Sequence, residues 1–195
     1  MIPEHPLAYE HIRSEKEFKM LCEENGLTLV DLAYHHTLSD DTVKALQKDS
    51  SPASLLFRTS PDFLLFNGDR GVYVELKTGR SKDKIFFEAF PLMCNQIKET
   101  SLHAPCIYVY RGPITDFNMF VCPVRDISPE TLVVPKKKGN EKISDIITKY
   151  FDCPYKEKEV SPYFSGDAYV ELKSSQVSEW TPVEKWILGN KKGRA

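Results

Sequence analysis

No apolar run in the chain approaches the roughly 20 residues that a membrane-spanning helix needs. Nor does the chain open as a signal peptide does. Met1-Ile2-Pro3-Glu4-His5 is polar and acidic where a basic and then an apolar stretch would stand, so an intracellular protein without membrane contact is expected. The five cysteines, Cys22, Cys94, Cys106, Cys122 and Cys153, are odd in number, and no two stand at C-x-x-C spacing. An iron–sulfur cluster would have to gather four thiolates from scattered positions, and reduced, mostly buried thiols are expected instead. There is no P-loop, dinucleotide fingerprint or G-x-S-x-G elbow. Positive charge is also scarce: 26 Lys and Arg against 28 Asp and Glu give a net charge of −2. Proteins that coat nucleic acid are usually basic overall, so this balance argues against one. It argues less against a protein in which a local acidic site offsets a local basic groove. The two basic runs, Lys136-Lys137-Lys138 and Lys191-Lys192-Gly193-Arg194, read first as a solvated loop and a tail.

What is present suits one domain with a modest appendage. The 195 residues are 41% hydrophobic, enough for a sizeable core, and 28% charged. Residues 1–152 are expected to form the main domain and 153–195 an appendage packed on it. Ser14 and Glu17 stand at capping-box spacing and predict a helix start, with Phe18, Leu21 and Cys22 as its apolar stripe and Asn25-Gly26 as its stop. Leu27–Leu32 reads as a short strand, and Ser39 as the cap of a second helix through Val43 and Leu46. Leu55-Leu56-Phe57 and Asp62–Phe66 read as strands. The turn Asn67-Gly68-Asp69-Arg70-Gly71 then leads into Val72–Lys77, with Val72, Val74 and Leu76 on one face and Tyr73, Glu75 and Lys77 on the other. A helix over Glu88–Thr100 tolerates Pro91 only in its first turn. Strands at Cys106–Tyr110 and Asn118–Val124 and an amphipathic helix at Glu141–Phe151 follow, with a short segment at Trp180–Leu188. A mixed sheet flanked by helices is the predicted architecture.

Chemistry converges on residues 60–77. A hairpin brings the start of its first strand beside the end of its second, so Asp62 is expected near Glu75, with Lys77 adjacent. Two close carboxylates stay ionised together only with a cation between them. Their hard oxygen donors suit Mg²⁺, with Mn²⁺ as a substitute. Lys77 is suited to orient an attacking water or to neutralise developing phosphoryl charge.

Ser60-Pro61-Asp62 followed by Glu75-Leu76-Lys77 resembles the motif of the PD-(D/E)xK nuclease superfamily, which includes restriction endonucleases and Holliday-junction resolvases. The resemblance covers roughly residues 14–125. It implies a restriction-endonuclease-like αβββαβ core, with Asp62, Glu75 and the Leu76 carbonyl as metal ligands and Lys77 as a catalytic residue. Many members add an acidic residue from the first helix, for which Glu17 is the candidate, beside its capping role. Some use a glutamine on the helix after the lysine strand, where Gln96 stands, beside the alternative of a solvated helix surface. The Q-x-x-x-Y pattern of one exonuclease subgroup is not met, since position 100 is Thr100. The implied activity is metal-dependent hydrolysis of nucleic acid, with a DNA endonuclease foremost. An inactive binding or assembly module and an RNA-processing nuclease are the alternatives. Paired cuts across a duplex would favour a homodimer.

Other groups draw a plainer reading. Ala168–Lys173 repeats the E-x-K strand pattern but lacks an upstream Asp at hairpin distance, and is expected to be a solvated edge. His35 and His36 would point to opposite faces of a strand and so would not share one ion. Glu88 is expected to act as a charge at a helix N-terminus, with a further metal ligand as the alternative.

Overall fold

A computed structural model of the chain describes residues 6–33, 38–49, 51–68, 70–135, 141–158 and 168–192. Its centre is the hairpin. Strand β2 (Phe63–Asn67) turns through Gly68, at φ +69°, into β3 (Arg70–Thr78). Glycine takes that left-handed conformation without steric cost. The register sets Phe63 opposite Val74 and Asn67 opposite Arg70.

Around the hairpin runs a six-stranded mixed sheet. β1 (Thr28–Asp31) pairs antiparallel with β2, and β5 (Cys106–Arg111) pairs parallel with β3. β6 (Met119–Pro123) and the short β10 (Thr181–Pro182) complete the order β1-β2-β3-β5-β6-β10. A second, four-stranded sheet has the order β4-β9-β7-β8, formed by β4 (Lys84–Glu88), β7 (Thr131–Pro135), β8 (Tyr155–Lys158) and β9 (Tyr169–Lys173). The helices are α1 (Pro6–Glu24), α2 (Asp40–Lys48), α3 (Pro52–Arg58), α4 (Ala89–Leu102), α5 (Glu141–Phe151) and α6 (Val183–Lys192).

Two apolar clusters lie on opposite faces of the large sheet. In one, Phe18 and Cys22 of α1 and Val183 and Ile187 of α6 pack on Phe63, Leu65, Val74, Leu76 and Val109. In the other, Ile85, Phe87, Val170, Leu172 and Leu132 of the small sheet pack with Tyr108, Tyr110, Leu92 of α4 and Ile147 of α5. The period-2 reading of β3 therefore holds. Val74 and Leu76 enter the α1 cluster, and Glu75 and Lys77 face the other way, toward the second sheet. The architecture is mixed α/β with a mixed sheet flanked by helices. No helix among the described residues is long and apolar enough to cross a membrane. All five cysteines are free, and four are buried.

Several expectations need correction. α1 begins at Pro6, so Ser14 is not a cap. It lies buried in mid-helix, where its hydroxyl donates to the Glu10 carbonyl at 2.7 Å. Leu55–Phe57 is helical, because Ser51 accepts the Ser54 N–H as a cap and Pro52 takes the first helical position. The helix after β3 starts one residue after Glu88, with Pro91 in its first turn as required. β4 precedes it where a loop was expected. β9 is interior, paired to β4 and β7, and is not an edge. Residues after 153 supply β8, β9, β10 and α6, to both sheets. His35, His36 and the Lys136–Lys138 run lie outside the described residues.

Candidate active site

Asp62 stands just before β2 and is fixed by three bonds. Its carbonyl accepts the N–H groups of Leu32 and Ala33 at 2.8 and 3.1 Å. Its Oδ2 accepts the Leu76 N–H at 2.7 Å. The start of one hairpin strand thus meets the end of the other, as the sequence predicts, and the Asp62 carboxylate lies against the Glu75-Leu76-Lys77 segment.

Glu75 is buried, and its Oε1 lies 2.8 Å from Lys77 Nζ. The same ammonium donates to Glu88 Oε2 at 2.6 Å. Glu88 makes no side-chain bond to the helix start it caps. Its carboxylate is spent on Lys77, a role the sequence reading missed because β4, which delivers it, was taken for a loop.

Electrostatics tie these groups together. Burial raises the Glu75 pKa to about 7; Lys77 pulls it down and Asp62 pushes it up. Burial likewise raises Asp62, against the pull of Lys77 and the Leu76 N–H. For Lys77, burial favours the neutral form, but Glu75 and Glu88 together outweigh it and hold the pKa well above that of an ordinary lysine. Lys77 in turn holds Glu88 below its usual value. The site therefore contains one firmly protonated lysine among three carboxylates.

α1 adds a second pair. His11 Nε2 lies 3.4 Å from Glu15 Oε1, and this bond raises the histidine pKa. Asp62 feels both groups. Glu17, the α1 residue singled out from sequence, is placed elsewhere: Arg13 Nε meets its Oε1 at 2.8 Å and Arg111 Nη1 its Oε2 at 2.9 Å. Gln96 is also turned to another task. Its amide donates to the Val124 and Ile127 carbonyls, both at 3.1 Å, and so pins the 3-10 turn after β6. Its neighbour Asn95 is fully buried and donates to the Tyr108 hydroxyl at 3.4 Å. Tyr108 sits directly across the parallel ladder from Glu75. Tyr108 was not singled out from sequence; the signal that could have found it is alternation along β5, where Tyr108 and Tyr110 bracket Val109.

Among the described residues, no group of three or more His, Cys, Asp or Glu side chains is gathered closely enough to hold a metal ion. The pair Asp62 and Glu75 nonetheless suits a hard divalent cation chemically. The donors are oxygen only, Glu75 is buried and Asp62 half-buried, and Asp62 disfavours ionisation of Glu75. A cation beside them would relieve both.

No protein-family model matches the chain, and no curated protein matches it in sequence. Among solved structures, the chain is similar to Hjc of Archaeoglobus fulgidus, a Holliday junction resolvase from an archaeal hyperthermophile. The identity is 10% and the TM-score 0.47, over 90% of this chain and 98% of that one.

Proposed function

We propose that the protein is a metal-dependent nuclease that hydrolyses phosphodiesters in DNA. The observation that supports this most is the meeting of Asp62, Glu75 and Lys77 at the mouth of one hairpin, with the ammonium held by two carboxylates. Asp62 and Glu75, with the Leu76 carbonyl, are the residues that would hold a divalent cation. Such an ion, when bound, supplies a water of lowered pKa and polarises a phosphoryl oxygen. Asp62 is kept in place by its bond to the Leu76 N–H. Lys77, kept cationic by Glu75 and Glu88, stands ready to orient the attacking water or to offset charge on the phosphoryl oxygens. Glu88 acts as a positioning residue through Lys77.

One observation favours a second reading. Lys77 already satisfies Glu75, and among the described residues no group of three or more metal-binding side chains is gathered. A nucleic-acid-binding module without hydrolysis would show the same arrangement.

Cleavage of labelled duplex, single strand, flap, four-way junction and RNA, with Mg²⁺, Mn²⁺ or EDTA, separates the two. We expect metal-dependent cutting that falls by about 100-fold or more in Lys77→Ala. Binding without cutting under any metal would establish the second reading, and cutting of RNA alone would move the substrate from DNA to RNA.

A further inference from the structure

The inward stripe of α1 runs past the core and reaches the active site. His11, Glu15, Phe18 and Cys22 follow one another at spacings of four, three and four, so they share one face of the helix. Phe18 and Cys22 pack in the cluster that holds Phe63, Val74 and Leu76, and the rings of Phe18 and Phe63 lie 6.2 Å apart. Asp62 is the residue before Phe63. Glu15 and His11, about one and two turns nearer the helix start than Phe18, carry the stripe beyond this apolar contact. There they meet charge. Asp62 feels both residues, and Glu88 feels His11.

A pair at i and i+4 on a helix surface usually does no more than steady the helix. This pair is built differently. Glu15 is buried, which is rare for a carboxylate without a partner group, while the His11 side chain keeps 33% of its surface exposed. The imidazole is held at Nε2 from within, 3.4 Å from Glu15 Oε1, and remains within reach of a substrate from outside. Four charged groups surround it: Glu15 on its own helix, Asp62 before β2, Lys77 on β3 and Glu88 at the end of β4. The bond to Glu15 raises the imidazole pKa against the effect of burial; Asp62 adds to the rise and Lys77 opposes it. Phosphodiester hydrolysis needs a proton at the oxygen that departs. Lys77 holds its own proton too firmly to give it up, Glu88 is kept ionised by Lys77, and Asp62 and Glu75 are the groups suited to a cation. His11 is left, and a histidine gives up its proton near neutral pH.

We propose that His11, oriented by Glu15, is the acid that protonates the leaving oxygen of the scissile phosphodiester. The proposal rests on the nuclease reading above. Water oxygen forms the new bond to phosphorus and releases one proton to solvent. The ester bond from phosphorus to the departing oxygen breaks, and that oxygen takes the imidazolium proton to become a hydroxyl. The neutral imidazole then regains a proton from solvent. Glu15 is a positioning residue, which acts through His11 and not on the substrate.

The test compares two small diesters that differ in leaving group, each with Mn²⁺. Nitrophenolate departs from bis(p-nitrophenyl) phosphate without help, whereas the more basic phenolate of diphenyl phosphate needs a proton. In His11→Gln the loss of kcat on diphenyl phosphate should exceed that on bis(p-nitrophenyl) phosphate by about 100-fold, at the lower end of what a general acid contributes. Glu15→Gln should shift the same ratio in the same direction by a smaller factor, about 10-fold. A role for His11 in folding or in phosphate binding would lower both substrates alike, so equal losses, or none, overturn the proposal. A calorimetric Mn²⁺ affinity in Glu15→Gln as low as in Asp62→Asn would also overturn it, since Glu15 would then be a ligand. The wild-type chain reports on the nuclease reading separately. Hydrolysis of neither diester removes that reading and the acid with it; hydrolysis of the nitrophenyl ester alone keeps the enzyme and removes the acid.

Discussion

At the scale of single residues, Lys77 carries most of the proposed chemistry, and Glu88 is the residue whose role is newly visible. Glu88→Gln keeps the shape of the side chain and removes the charge that holds Lys77. We expect cleavage to fall by about 10- to 100-fold, as for other supporting partners of a reactive group. Calorimetric Mn²⁺ affinity should stay within a few-fold of wild type, because Glu88 supplies no ligand. A loss of Mn²⁺ binding equal to that of Asp62→Asn would make Glu88 a ligand instead. Asp62, Glu75 and Lys77 were legible in the sequence because a hairpin turn and period-2 alternation together fix which residues meet. Glu88 was not, since five residues of β4 among charged neighbours carry too little pattern to be told from a loop. Glu15 and Glu17 show a finer failure. Residues two apart on a helix differ by about 200° in direction, so Glu15 acts on Asp62 while Glu17 meets Arg13 and Arg111, and the misplaced helix start made Glu17 look like a cap.

At the scale of elements, the ends of β3 and β5 are locked by a close fit. The Gly79 N–H donates to the Arg111 carbonyl at 2.8 Å, and the Tyr110 hydroxyl is wedged between Gly79 and Gly112. A Cβ on Gly79 would collide with that hydroxyl, which is why glycine follows β3. The hydroxyl itself is buried without a hydrogen-bond partner, and burial raises its pKa to about 12. Tyr110→Phe should therefore stabilise the fold by about 1 kcal/mol, since a buried unsatisfied polar group is removed. It should also recover part of the loss caused by Gly79→Ala, as read from urea midpoints. A Tyr110→Phe variant less stable than wild type would show that the hydroxyl has a partner after all. Other elements were hidden from sequence for a common reason. The apolar run Leu55–Phe57 is too short for its period to show, and β8, Tyr-Lys-Glu-Lys, is exposed throughout and has no apolar alternation to read.

At the scale of the whole molecule, the last quarter of the chain is built into both sheets. β9 joins β4 to β7, β10 borders β6, and Val183 and Ile187 of α6 close the cluster that α1 begins. Trp180 stacks on Phe87 at 6.3 Å and meets Tyr110 edge-on at 5.7 Å. A chain cut after residue 152 would leave β4 and β7 without the strand between them. We expect it to lack a cooperative thermal transition and near-ultraviolet circular dichroism; a sharp melt in the truncated chain would show that the first 152 residues suffice. The mixed α/β architecture was legible from the order of helices and strands. The division of the strands into two sheets was not, because pairing between β4 and β9 joins residues 84–88 to 169–173, and no local pattern reports such a contact.

β4 has one more consequence, set by its pairing. Its residues 84–88 are matched to 169–173 of β9, and the Ala89 N–H just beyond it donates to the Ala168 carbonyl at 2.8 Å. Glu88 is thus anchored by the last quarter of the chain while its carboxylate holds Lys77 at 2.6 Å. The proposed reactive ammonium acts as a tie between two distant stretches of sequence, so a substitution that loosens β9 should be felt at Lys77 without touching it.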